Sequence, residues 1–179
     1  MSQNKAIVII DGYNVLRSSG LYDALDEADY SHDVFNKARE ALIGDVALFA
    51  HKRFEATIVF DGAGNTSSTG QRTEIGGVGV IFSAAQRSAD ATIEELARHA
   101  SDLGREVLVV TSDAATQWTV LGKHVTRMSA EGFAGEVRSI KKATVQEIEA
   151  VAIKNTLGER LDEKTRTRLA RLVRELEKQ

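Results

Sequence analysis

Four short apolar runs limit what this chain can fold into: Ala6-Ile-Val-Ile-Ile10, Ala56-Thr-Ile-Val-Phe60, Val78-Gly-Val-Ile-Phe82 and Glu106-Val-Leu-Val-Val110. They are rich in β-branched residues, nearly unbroken, and each is followed by a small or polar residue. A strand wet on one face alternates apolar with polar side chains, whereas one covered on both faces does not, so these runs predict strands of a buried parallel sheet. A weaker fifth run, His124-Val-Thr-Arg-Met128, closes it. Helical periods lie between. Val34, Ala38, Leu42, Leu48 and Phe49 form one apolar stripe; Ile93, Leu96, Ala97, Ala100 and Leu103 form another, ended by Gly104 where left-handed backbone costs least. A third helix is expected over 114–121, stopping at Gly122. Strands alternating with helices predict βαβ units with right-handed crossovers, and hence a three-layer α/β fold.

The rest of the chain has other patterns. Residues 62–77 hold five glycines with Ser and Thr and read as a surface loop. Past Glu136 the pattern is helical only: Val145, Ile148 and Ala152, then Leu157, Leu161, Leu169, Leu172, Val173 and Leu176, predict two amphipathic helices separated near Gly158. Their stripes need a surface to cover. The expected organisation is a body over 1–140 and a helical extension over 141–179, docked on the body or on a partner.

Composition narrows the chemistry. With 179 residues the chain can bury a real core. It has no cysteine, which excludes disulfides, thiolate zinc sites, Fe–S clusters and cysteine nucleophiles. The histidines, His32, His51, His99 and His124, form no ligand-like pair, so zinc fits poorly. The longest apolar run is far below the roughly 20 residues of a membrane helix, and no basic-then-apolar leader opens the chain, so a soluble cytoplasmic protein with no membrane partner is expected. The net charge of -3 is unevenly spread. From Val137 onward lie eleven of the 23 Lys and Arg against seven of the 26 Asp and Glu, an excess of +4 that leaves -7 in the preceding residues. An acidic, cation-attracting body with a basic appendage results.

The acids fall where the strands end. Asp11-Gly12-Tyr13-Asn14 follows the first run, Asp61-Gly62 the second and Thr111-Ser112-Asp113 the fourth, while the third leads into Ala89-Asp90-Ala91-Thr92-Ile93-Glu94. Parallel strands share one carboxyl edge, and ligands bind there at the point where strand order reverses. Four carboxylates on that rim repel one another unless a cation sits among them. Mg²⁺ or Mn²⁺ suits an all-oxygen donor set and is the usual partner of phosphoryl chemistry. Each acid also has a plainer role: Asp11 or Asp61 could begin a turn, Asp113 with Ser112 could cap a helix, and Asp90 with Glu94 could face a helix dipole. Around them, Tyr13 could stack on a base, and Asn14 could orient a water or a phosphate oxygen. Arg39 could reach a phosphate, a solvated arginine being its plainer role, and Arg72 and Arg87, which flank the glycine-rich stretch and the third run, could reach a polyanion; Gln117 and Trp118 are weaker candidates for the same surroundings. A phosphotransferase with an aspartyl nucleophile pairs two aspartates around one residue, but here the second place is Tyr13. Gly76-Gly77-Val78-Gly79 does not lead from a strand into a helix as a phosphate loop must.

Taken in order, these elements resemble the YacP-like NYN domains, relatives of the PIN and FLAP nucleases. The matching pieces are Ile9-Ile10-Asp11-Gly12-Tyr13-Asn14-Val15-Leu16, Val59-Phe60-Asp61-Gly62, Ile81-Phe82-Ser83 with Ala89-Asp90-Ala91-Thr92-Ile93-Glu94, Val109-Val110-Thr111-Ser112-Asp113 and Met128-Ser129-Ala130-Glu131-Gly132-Phe133. They cover roughly residues 5–140; Ser83 stands where many relatives have threonine, and the C-terminal extension lies outside the motifs. The resemblance implies a PIN-like α/β/α fold with a mostly parallel sheet of four to five strands, plus C-terminal helices. It also implies Mg²⁺- or Mn²⁺-dependent endoribonuclease activity on RNA, with messenger RNA and the ribosome as context. By motif position Asp11, Asp90 and Asp113 correspond to the metal-binding and catalytic acids. Asn14 and Asp61 stand beside them, Glu94 behind, and Ser112 next to the substrate. The competing expectation is a non-catalytic RNA- or ribosome-binding module of the same fold, for which Arg160, Lys164, Arg166, Arg168, Arg171 and Arg174 supply phosphate-contacting charge.

Overall fold

A computed structural model describes residues 5–22, 32–62, 68–113, 123–160, 165 and 167. The elements run β1 (Ala6–Asp11), α1 (Gly12–Ser18), α2 (His32–Ala50), β2 (Phe54–Phe60), β3 (Arg72–Ile75), β4 (Val78–Phe82), α3 (Ala89–Asp102), β5 (Val107–Val110), β6 (Val125–Met128) and α4 (Ala130–Arg160). The six strands form one sheet in the order β3-β4-β2-β1-β5-β6, parallel except where β3 meets β4. β1 is the hinge of the topology: the chain goes to one side for β2, β3 and β4, then returns through α3 to β5 on the other side. The switch point of the sheet therefore lies at the carboxyl end of β1.

The expectation of strands covered on both faces is met: Val8, Ile9 and Ile10 of β1 and Ile58, Val59 and Phe60 of β2 are at most 1% exposed. Alternation along each strand divides them between two layers. Ile9, Val59, Val107 and Val109 pack with Ile93, Ala97 and Ala100 of α3. On the opposite face α2 buries Ala38, Leu42, Val46 and Phe49. Phe49 stacks on Phe54 and meets Phe133, in the first turn of α4, edge-on at 5.2 Å. Leu103 departs from its expected stripe. It caps the end of α3 and is 64% exposed, while Gly104 takes the left-handed backbone (φ 71°) expected of it.

Three elements differ from the sequence reading. The sheet has six strands rather than four or five, because Arg72–Ile75 leaves the glycine-rich stretch to pair antiparallel with β4. Ile75 pairs with Val78, so Gly76 and Gly77 alone make the turn, with φ of 59° and 80°, the positive pair that a tight hairpin requires. A short helix, α1, begins directly after Asp11, where the sequence reading had only a turn. Finally, α4 starts at Ala130, ahead of the Glu136 boundary, and is helical through Gly158 to Arg160. The helix expected over 114–121, with Gln117 and Trp118, and the leucine stripe from Leu161 onward lie outside the described residues, as does the side chain of Val34.

The chain divides into two compact units, Met1–Arg138 and Ser139–Gln179. The first holds the sheet and its covering helices. In the second, described as helix to Arg160, Val145 and Ile148 are exposed. Among the described residues no helix is long and apolar enough to cross a membrane.

Candidate active site

Asp11 is both the last residue of β1 and the N-cap of α1. One carboxylate oxygen accepts the Asn14 backbone N–H at 3.1 Å and the other accepts the Thr111 hydroxyl at 3.1 Å. Gly12 lets the helix start so close to the sheet: a Cβ there would run into the Phe60 ring. Thr111, fully buried beyond β5, uses the same hydroxyl oxygen to accept the Asp113 N–H at 3.2 Å, so it ties the acids from β1 and β5 together. The Asn14 side-chain carbonyl accepts the Ser112 N–H at 2.7 Å, and the Ser112 hydroxyl accepts the Ala130 N–H at the start of α4.

Asp61, just past β2, is set by a comparable device. Buried Ser83, at the end of β4, donates its hydroxyl to Asp61 at 3.3 Å and accepts the Gly62 N–H at 2.9 Å. Any Cβ at Gly62 would strike the Ser83 carbonyl. Asp90 occupies the first turn of α3, behind the cap in which Ser88 accepts the Ala91 N–H.

These elements bring Asp11, Asp61, Asp90 and Asp113 onto the wall of one open cavity of about 540 Å³, with Tyr13, Asn14 and Arg17 alongside. Burial pushes the Asp11 carboxyl above the ordinary aspartate range. The Asn14 N–H and the Thr111 hydroxyl pull it back, and the charges of Asp90 and Asp113 raise it further. Among the described residues no three such side chains close into a ready-made cage for an ion. The donor chemistry nevertheless fits a hard divalent cation that keeps part of its water shell: the four acids offer oxygen ligands only, and the charges of Asp90 and Asp113 already act against that of Asp11.

Other candidates lie elsewhere. Glu94 is not on the cavity wall and pairs with Arg98 at 3.9 Å, one helical turn on. Arg72 lies back across β4 at Gly79, where the missing side chain makes room, and pairs with Glu55 at 3.3 Å near the opposite edge of β2. The Arg105 guanidinium and then that of Arg72 hold Glu55 below the usual carboxylate range. Arg87 pairs with Glu95 at 2.5 Å and donates to the Ala91 carbonyl. Arg39 lies over the Phe82 ring at 5.5 Å and donates to Asn36. Ser112 spends its hydroxyl on the α4 cap. The sequence reading missed Thr111 and Ser83 as holders of the acids and Arg17 as a residue of the cavity. The only signal for Arg17 was its spacing, one helical turn beyond Tyr13.

The sequence profile of the family described as "YacP-like NYN domain" matches residues 8–174, so the match takes in the helical tail that the motifs left out. The "Uncharacterized protein YacP" of Bacillus subtilis (strain 168) is 27% identical over 152 residues, covering 85% of this chain and 86% of that protein. The crystal structure of Rae1 (YacP) from Bacillus subtilis superposes with a TM-score of 0.64 at 25% identity, over 96% of this chain and 92% of that one. A tryptophan-to-leucine mutant of the same protein gives 0.65 at 26% identity, over 82% of each chain. With its sheet order, its strand-end acids and a profile match over nearly the whole length, the chain belongs to the YacP-like NYN domain family, kin of the PIN-like nucleases.

Proposed function

We propose that this protein is a Mg²⁺- or Mn²⁺-dependent endoribonuclease that hydrolyses RNA phosphodiester bonds and leaves a 5′-phosphate. The observation that carries the reading is the convergence of Asp11, Asp61, Asp90 and Asp113 on one cavity at the switch point of the sheet. Asp11, Asp90 and Asp113 would hold the ion, with Asp61 beside them. When bound, such an ion supplies a nucleophile at neutral pH and screens the charge of an in-line displacement.

The chain's own residues then have separable tasks. The Asn14 N–H and the Thr111 hydroxyl hold both oxygens of Asp11, and Ser83 holds Asp61. The side-chain carbonyl of Asn14 is engaged with Ser112, so it offers a substrate its NH₂ group, a donor suited to a phosphate oxygen. Tyr13 presents a half-buried ring at the same wall for a base. The family resemblance supports messenger RNA, in a ribosome-linked setting, as the substrate.

Cleavage of a labelled RNA, with and without EDTA, by the native chain and by Asp11→Asn tests the reading. EDTA and the substitution should each reduce cleavage to background. Undiminished cleavage by Asp11→Asn overturns the assignment. Salt-sensitive RNA binding with no metal-dependent turnover places the chain instead among non-catalytic RNA-binding modules.

A further inference from the structure

We infer that Arg17 and Tyr13 form a grip that seats single-stranded RNA beside the acids, the guanidinium on a backbone phosphate and the ring under a base; this rests on the endoribonuclease reading above. A polyanion approaching four carboxylates is repelled unless fixed positive charge meets its phosphates. The three arginines that the sequence offered for that task are engaged elsewhere: Arg72 on Glu55, Arg87 on Glu95, and Arg39 on Phe82 and Asn36. Arg17 is the guanidinium on the cavity wall. It is exposed, and among the described residues it pairs with no carboxylate although four line the same cavity.

Its neighbour is as informative. Tyr13 and Arg17 are one turn apart on α1, and the guanidinium carbon lies 6.0 Å from the centre of the Tyr13 ring. The ring leans on Phe60 at 5.1 Å, tilted by 55°, and buried Phe60 stacks on Phe82 at 5.3 Å. Tyr13 is thus braced by Phe60, which Phe82 backs in turn, while its own ring remains half-buried at the cavity. An aromatic face joined to a guanidinium is the pairing that binds single strands: the ring takes an unstacked base and the cation takes the phosphate next to it. Bases inside a duplex are already stacked and cannot lie on the ring, so the grip selects unpaired RNA.

The test is binding of the full chain to a fluorescein-labelled single-stranded RNA oligonucleotide, followed by anisotropy in EDTA so that the strand stays intact. Arg17→Ala should weaken binding about tenfold, as loss of one charge-assisted contact does. The slope of log affinity against log salt should become shallower by about 0.7, the signature of one phosphate contact to a single strand. Arg17→Lys should keep that slope while losing part of the affinity. Tyr13→Ala should weaken single-strand binding and leave the slope alone, and it should not weaken binding to a duplex of the same length. Native affinity and slope in Arg17→Ala, or unchanged single-strand binding in Tyr13→Ala, overturns the grip. The two readings separate cleanly. A native chain that does not cleave while Arg17→Ala still flattens the slope refutes the nuclease and supports the grip; a native chain that cleaves while Arg17→Ala binds normally does the reverse.

Discussion

Asp11 works as a helix cap and as a buried acid, and the two roles have different consequences for stability. The cap needs only an oxygen that accepts the Asn14 N–H, which asparagine also supplies. The charge is another matter: burial first, then Asp90 and Asp113 behind the opposing hydrogen bonds, hold the carboxyl above its ordinary range. A group whose folded value is raised contributes its full stability below the unfolded value and loses it as the pH rises through the folded one. Without divalent cations, Asp11→Asn should therefore melt at a higher temperature than the native chain at pH 8, and the gap should narrow toward pH 4. Thermal melts in EDTA at both pH values check this; a native chain that is the more stable at pH 8 refutes it. Asp11 and Asp61 were legible because each directly follows an apolar run, and Asp113 because it stands three residues past one; Asp90, eight residues beyond Phe82, was legible only as a first-turn acid of the next helical stretch. Thr111 and Ser83 were not, since a hydroxyl at a strand end carries no mark of the carboxylate it will meet. Choosing among the arginines required knowing where each guanidinium ends, and for Arg72 that depends on the opening left by Gly79 one strand away.

At the scale of elements, α1 and α2 are fastened to each other by a contact with no sequence signature. Tyr22, just beyond α1, donates its hydroxyl to Asp45 of α2 at 3.1 Å, with both residues only 7% exposed. Burial and then the Asp45 charge hold the phenol above its ordinary value, which keeps its proton on the hydroxyl that Asp45 accepts. Tyr22→Phe removes a hydrogen bond to a buried carboxylate and should cost about 1–3 kcal/mol in urea unfolding; a loss below a few tenths would show that Asp45 does not depend on it. The parallel strands were legible from their length and β-branching, and β4 begins and ends where it was predicted. β3 was harder to see: all four of its residues are exposed, so no apolar pattern marks it. Its one local signal is the Gly76-Gly77 turn. Ile93 gives the converse case, an apolar position read from helical period and found with no exposed surface in the α3 layer. Truncating it to alanine should destabilise the fold by about 2–5 kcal/mol, with the spread set by how far α3 can settle onto the sheet.

Across the whole molecule, the net charge of -3 conceals an acidic body and a tail with a +4 excess, and the body's acidity is concentrated functionally at the carboxyl edge of β1, β2 and β5. General screening and a bound cation relieve such repulsion in distinguishable ways. Monovalent salt acts on exposed charges throughout and falls short at a buried carboxylate such as Asp11. A divalent ion bound at the proposed site stabilises the folded chain by mass action, about 2.7 kcal/mol once its concentration is a hundred times the dissociation constant. The native chain should therefore melt several degrees higher in millimolar Mg²⁺ or Mn²⁺ than in EDTA. Potassium chloride at the same ionic strength should not reproduce the shift, and Asp11→Asn and Asp113→Asn should each lose most of it. Glu94→Gln should keep it, because Glu94 faces Arg98 rather than the cavity. An equal shift from potassium chloride would reduce the four-acid wall to ordinary surface charge. A loss in Glu94→Gln as large as in Asp113→Asn would move the ion away from the end of β5 and toward α3.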